Sequence, residues 1–254
     1  MQSTTLNFIA RQLEPFFPPA CAGCDGTTTA HRAFCSICRP LAPELRSPAC
    51  RRCAMPMEAF EGRRDSTSLC SRCQTKPPAF DGVKALWEYD DAVADAIRRI
   101  KYGRDLPALR ALCRSAHHWF HDTVDALAGD GPVVPVASHR NSLRERGFHV
   151  PSLTLRYLRA ADSRRISHRL TKTVDTPRQA GLSFEERYDN TRGVFQDRGP
   201  APASNQAIVF DDVLTTGATA DAAANALREA GYETIDVVVL ARAPAPRQRH
   251  RRRS

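Results

Sequence analysis

No stretch of this 254-residue chain approaches the roughly 20 consecutive apolar residues of a membrane-crossing helix, so no helical membrane insertion is expected. The opening, "MQSTTLNFIARQLEPFFPP", has neither the basic start nor the uninterrupted apolar centre of a secretory leader. Its Leu6, Ile9 and Leu13 instead space out a short amphipathic helix that Pro15 ends. A cytoplasmic protein with reduced thiols is therefore the expectation. Two common phosphate cradles are also missing, the Gly-x-Gly-x-x-Gly dinucleotide turn and the Gly-Lys-Ser/Thr element of a Walker loop. No internal repeat is evident. Aromatic residues are few beside the arginines, which argues against a dedicated platform for stacking single-stranded bases.

Cysteine and proline, by contrast, are abundant. Eight of the nine cysteines fall in four Cys-x-x-Cys pairs: Cys21/Cys24, Cys35/Cys38, Cys50/Cys53 and Cys70/Cys73. At that spacing a tight turn points two thiolates at one tetrahedral metal ion, so four knuckles supply two closed Cys₄ zinc sites. A short segment so rich in proline and arginine cannot build an ordinary core, and metal binding would supply its folding energy. A disulfide framework is the competing reading, with on the order of a hundred possible connectivities, and falls behind zinc where thiols stay reduced. A redox dithiol would need only one such pair. The spacing does not say which knuckles share a metal; pairing them in sequence order is the simplest arrangement. Cys113 lies apart, on a helical apolar stripe, and reads as packing.

After Cys73, "QTKPPAFDG" reads as a connector, and strand-like and helix-like segments then alternate. "VKALWEY" reads as a strand, followed by a helix through Val93, Ile97 and Ile100 that Gly103 caps. Asp105-Leu106-Pro107 opens a long helix whose apolar stripe is Leu109, Leu112, Cys113, Ala116, Phe120, Val124 and Leu127. His117, His118 and His121 on this helix read as surface. "VVPV" (133–136), "AIVF" (207–210) and "TIDVVVLAR" (234–242) suit buried parallel strands, so the fold class is α/β, a parallel sheet flanked by helices.

Asp211 and Asp212 then stand where the strand 207–210 is expected to end, and ligands of open parallel sheets bind beyond the carboxyl ends of strands. Thr215, Thr216, Gly217, Ala218 and Thr219 lead into a helix that runs to Gly231. Such a turn gathers free N–H groups and the positive end of a helix dipole, a place for a phosphate, and the two carboxylates can accept from ribose hydroxyls. A hydrated acidic turn is the plain alternative. Replacing both acids by Asn is expected to leave the unliganded fold no less stable, since like-charge repulsion is relieved.

"VFDDVLTTGAT" resembles the motif with which type I phosphoribosyltransferases bind 5-phosphoribosyl 1-pyrophosphate (PRPP). The chain from Cys21 to Arg242 is similar to the ComF/ComFC competence-protein family, double-zinc-ribbon proteins with a phosphoribosyltransferase-like domain. The four knuckles, "LWEYDDAVADAIRRIKYGRD" (86–105), "VVPVASHRNSLRERGF" (133–148) and "TPRQAGLSFEERYDNTRGVF" (176–195) carry that resemblance in order. It implies that Asp211 and Asp212 hold the ribose hydroxyls at the reacting centre and that Thr215 to Thr219 bind the 5′-phosphate. Ala137, Ser138, His139 and Arg140 would lie where the pyrophosphate loop lies, with Arg144 and Arg146 adding charge. Thr176 and Gln179 would belong to a flap over the site. Magnesium would accompany PRPP. The chain departs from the family's pattern at Ala137, where a proline is usual, and at His149-Val150, where Asn-Gln is usual.

The organisation expected is an N-terminal helix and double zinc ribbon over 1–78, a phosphoribosyltransferase-like domain over 79–243 and an Arg-rich tail over 244–254. Five of the nine excess positive charges lie in that tail, so the body is only mildly basic. Two functions remain: a phosphoribosyltransferase with an unidentified acceptor, or an accessory module for competence that binds nucleotides or single-stranded DNA. Competence-machinery proteins are possible partners in either case. Arg140, Arg144, Arg146, Arg156, Arg159, Arg164, Arg165 and Arg169 would form a stripe suited to a phosphate backbone, or be the solvated faces of ordinary helices.

Overall fold

The structure is a computed structural model that describes residues 19–24, 26–29, 32–57, 68–138, 143–144, 146–158, 165–173 and 193–244. Its centre is a four-stranded parallel sheet of β1 (Gly82–Glu88), β2 (Val133–Pro135), β5 (Gln206–Leu214) and β6 (Thr234–Arg242), in the order β1-β6-β5-β2. A separate antiparallel pair joins β3 (Leu170–Lys172) to β4 (Phe195–Asp197). The central strands β5 and β6 are near-continuous apolar runs because both of their faces are covered, as a parallel sheet requires.

Alternate residues of these strands feed two cores. Ile208, Phe210, Val238 and Leu240 pack with helices α2 (Asp91–Gly103), α3 (Leu106–Ala128) and α4 (Val150–Leu158). Ala207, Val209, Val237 and Val239 pack on the other face with α5 (Ala218–Glu229). The predicted stripe of α3 is buried from Leu109 to Val124, with Phe120 edge-on to Phe210 at 5.6 Å between ring centres. Cys113 is buried in this core, and burial pushes its thiol up to about 12, as suits packing. The Asp105 side chain accepts from Ala108 N at 2.9 Å, the cap that the sequence predicts.

The cap at the other end of α2 differs from expectation. Gly103 stays in the last turn, and Arg104 takes the left-handed conformation with φ +56°. The amides of Arg104 and Asp105 both donate to the Arg99 carbonyl, which offsets the modest cost of a side chain in that region. Two of the three α3 histidines also differ from a plain surface: ring nitrogens of His117 and His121 lie 2.9 and 3.2 Å from the Leu158 carbonyl at the end of α4. Among the described residues, no helix is long and apolar enough to cross a membrane.

Candidate metal centres and ribose-phosphate site

The cysteines assemble as Cys21–Cys24–Cys35–Cys38 and Cys50–Cys53–Cys70–Cys73, in sequence order, each with four sulfurs within 4.8 Å of one another. All are free thiols, and the sulfurs of each set stand at the separation of ligands around one metal ion rather than of bonded disulfide pairs. The Sγ atoms of Cys24 and Cys35 lie 3.8 Å apart, and those of Cys53 and Cys70 lie 3.7 Å apart. A tetrahedron with Zn–S arms of about 2.3 Å has edges of about 3.8 Å, so the two sites fit two zinc ions. Backbone N–H groups of Gly23 and Cys35 point at Cys21 Sγ, and that of Cys70 at Cys50 Sγ, each at 3.3 Å, as knuckle turns supply. Burial pushes the Cys53 thiol up to about 11 and raises Cys73 further, so a cation is needed to ionise these thiols at neutral pH.

The two centres occupy opposite faces of the sheet. Cys21 and Cys38 join the core of α2, α3 and α4, whereas Cys50, Cys53 and Cys73 join that of α5. Phe34, between the knuckles of the first centre, meets Trp87 of β1 edge-on at 6.2 Å. The second centre meets the sheet through arginines instead. Arg72, in the short helix α1 (Ser71–Thr75), donates from Nη1 to the Thr216 carbonyl at 2.6 Å. Arg242, at the end of β6, donates to the carbonyls of Cys53, Leu214, Thr215 and Ala243 at 2.6 to 2.9 Å.

Asp211 and Asp212 lie inside β5 rather than at its end. The strand continues to Leu214 on β6, with Asp211 opposite Val239 and Leu214 opposite Arg242. Only the other edge opens: β2 pairs no further than Phe210, whose carbonyl accepts from Val136 N at 2.9 Å. The acid pair thus stands where β2 parts from β5, with Ala137 and Ser138 leaving beside it, half-buried.

Lys101, from the last turn of α2, meets this pair. Its Nζ lies 2.6 Å from Asp212 Oδ2, a close ion pair. The Asp212 residue is 5% exposed. Burial alone would raise the Asp212 carboxyl, but the Lys101 ammonium outweighs it and holds Asp212 below its usual range. Burial, and then the Asp212 charge, push Asp211 well above the carboxylate range. Burial pulls Lys101 down, and Asp212 followed by Asp211 more than offset it. One carboxylate is therefore charged and matched, and its neighbour keeps a proton at pH values where a solvated Asp has lost it. The ion pair argues against the expectation that neutralising both acids leaves the fold no less stable, because removing the Asp212 charge leaves a half-buried ammonium without its partner. The sequence did carry a signal for Lys101: it sits four residues after Ile97 on the apolar stripe of α2.

Gly217, with φ +83°, caps the start of α5 and turns the chain from strand into helix. The Thr216 hydroxyl accepts from Ala218 N at 3.3 Å, Thr215 is exposed, Thr219 is half-buried and Ala218 is buried. Arg144 is exposed, and the Arg146 guanidinium lies 5.7 Å from the centre of the Tyr102 ring. His139, Arg140, Thr176, Gln179 and the tail from 245 lie outside the described residues. His149 caps α4: Nε2 donates to the Val136 carbonyl at 2.9 Å and Nδ1 meets Ser152. Burial lowers its pKa, so it is a neutral tether for the end of β2. Arg169 does not fit the basic stripe, since it is buried and bidentate to Asp197 at 2.5 to 2.9 Å.

Residues 12–76 match the family model of the double zinc ribbon domain. The chain is 26% identical over 236 residues to Competence protein F of Haemophilus influenzae, covering 90% of this chain and 99% of that protein. It is 29% identical over 217 residues to DNA utilization protein YhgH of Escherichia coli O6:H1, covering 84% of this chain and 91% of that relative. The YhgH protein of Shigella flexneri is 28% identical over the same shares.

Proposed function

We propose that this chain, which belongs to the ComF family of competence proteins, serves the uptake or use of DNA through a ribose-phosphate site at the carboxyl ends of β2 and β5. The reading is that it binds PRPP and transfers the phosphoribosyl group to an acceptor, with release of pyrophosphate. The observation that carries it is the convergence of an acid pair, a half-buried lysine on one of its members and a glycine-turned helix start at the point where two parallel strands diverge.

In this mechanism Asp211 and Asp212 accept from the ribose hydroxyls, with Asp212 the partner of Lys101. The amides of the 215–217 turn and the Thr215 hydroxyl receive the 5′-phosphate. Lys101 holds Asp212 in place through the ion pair, and the Asp212 charge favours the positive charge that develops as the anomeric carbon loses its leaving group. Among the described residues, no group of three or more Asp, Glu or His side chains gathers for magnesium, so the ion would arrive on the pyrophosphate oxygens and neutralise the departing charge.

The test is thermal unfolding with and without PRPP and magnesium. A ligand bound only by the folded state adds about 2.7 kcal/mol at a hundredfold excess over its Kd. Asp211→Asn with Asp212→Asn should lose most of that increment. No shift in the wild type, or an equal shift in both proteins, would overturn the site. Consumption of labelled PRPP against a panel of bases, amines and nucleotides would then identify the acceptor.

A second reading, for a chain with relatives named for competence and DNA utilization, is an accessory module that binds nucleotides or single-stranded DNA without catalysis. On that reading, deleting residues 247–254 should lower the salt slope of DNA binding by up to about 5 without changing sequence preference. A full-length protein that does not bind DNA even at low salt would rule it out.

A further inference from the structure

Arg242 is the largest fully buried side chain, 1% exposed, yet among the described residues no carboxylate pairs with it. A buried guanidinium needs a counter-charge. The second cysteine centre supplies one, since a zinc ion with four thiolates carries two net negative charges. Arg242 donates from Nε to the Cys53 carbonyl, and Arg72 sits between Cys70 and Cys73, so two arginines flank a centre of charge minus two. Both then reach past the centre to the turn after β5, where the Leu214, Thr215 and Thr216 carbonyls accept from them at 2.6 to 2.9 Å.

The covalent geometry of the chain gives that clamp a consequence. In a trans peptide the C=O and the following N–H point in opposite directions. Drawing the carbonyls of 214, 215 and 216 toward the zinc module therefore turns the amides of 215, 216 and 217 away from it. Among the described residues, no acceptor takes the amide hydrogens of Thr216 and Gly217. Such outward amides at a helix start form an anion-binding concavity.

We propose that Arg72 and Arg242 are positioning residues for the 215–217 turn, and that the second cysteine centre, when it holds its metal, sets the geometry of the phosphate subsite. Among the described residues, no side chain of the first centre reaches that turn; Arg99 of α2 donates to its Ala22 carbonyl at 2.6 Å. The proposal rests on the reading that residues 215–219 take the ribose phosphate, and the experiment separates the two.

Full-length, zinc-loaded protein is titrated with ribose 5-phosphate and with PRPP plus magnesium. Arg72→Gln should weaken both about tenfold, the effect of losing one charge-assisted bond, while zinc content stays at two ions per chain. Arg72→Lys restores the charge but not the reach of Nη1 to Thr216, and should recover only part. Cys21→Ser with Cys24→Ser should leave the affinities within about twofold on the same scale. Hydrogen exchange without ligand is read in parallel at the amides of Asp221 and Ala243, which donate to the Gly217 and Leu214 carbonyls. Faster exchange there in Arg72→Gln supports the clamp. A wild type that binds neither ligand overturns the ribose-phosphate reading, and the exchange data then decide the clamp by themselves. Unchanged exchange in Arg72→Gln, or unchanged affinity in a wild type that does bind, overturns the proposal.

Discussion

The two cysteine centres are built from the same knuckle and the same four ligands, and differ in how they meet the sheet. The first docks mainly through apolar surface, with Phe34 against Trp87, and shares the core of α2 and α3. The second docks through two arginines that end on carbonyls of a single turn. Apolar contact is non-directional and supplies stability, whereas a fan of charge-assisted hydrogen bonds fixes where particular atoms point. The acid pair repeats the contrast on a smaller scale. Asp211 and Asp212 are chemically identical neighbours, and one lysine makes them different acids.

The largest effects should come from the metal centres themselves. Purified under reducing conditions, the protein should carry about two zinc ions per chain. Structural zinc is worth about 10–16 kcal/mol in isolated zinc-finger peptides, so removing either ion should unfold its own knuckles. Cys50→Ser with Cys53→Ser should lose one ion together with PRPP-dependent stabilisation, and Cys21→Ser with Cys24→Ser should lose one ion and keep that stabilisation. Metal analysis with thermal shift on both variants checks this. Equal loss of ligand response in the two would erase the contrast, and mass spectrometry showing four disulfides and no metal would remove its basis.

Next in size is the apolar dock. Trp87→Ala empties a site against Phe34 and should cost about 3–5 kcal/mol by urea denaturation. The increment from PRPP should persist in whatever fraction remains folded. A variant with wild-type stability would show that the first centre does not lean on β1.

The acid pair should give the smallest and most discriminating effects. Asp212→Asn leaves Lys101 without its charged partner. The penalty should be about 2–3 kcal/mol, below the ~3–5 of a fully buried pair, because the Lys101 side chain retains 23% exposure. Lys101→Met in the same chain should recover much of it. Asp211→Asn should be close to neutral near pH 4 and increasingly favourable above it. The sign follows from linkage: the folded state holds the Asp211 proton where the unfolded chain has released it, so wild-type stability falls as pH rises above about 4, and the variant lacks that term. Asp212 works in the opposite sense, because its depressed pKa adds stability above the unfolded value that is lost on acidification. Denaturation curves at several pH values separate the two residues. Identical pH profiles for both single variants would show that Lys101 does not distinguish them.

Local pattern was enough for much of this protein. Four Cys-x-x-Cys spacings declare two tetrahedral thiolate centres because a knuckle turn is a short-range structure. The apolar runs at 133–136, 207–210 and 234–242 declare buried parallel strands, and the Asp105 cap with the Leu109–Val124 stripe declares α3, because each depends only on neighbours along the chain. What lay beyond the sequence depends on contacts between distant residues. The continuation of β5 through Asp211 and Asp212 comes from pairing with β6, which local charge cannot forecast. The burial of Arg169 on Asp197 and the meeting of Lys101 with Asp212 join segments far apart in the chain, whereas the left-handed Arg104 is a local cap that took the place expected of Gly103. Arg242, in a run that reads simply as strand, becomes the link between a metal centre and a ligand turn only when β6 brings it against Cys53 and Leu214. Spacing along the chain sets which groups can share a turn, but the counter-charge of each buried ion is set by what packs against it in three dimensions.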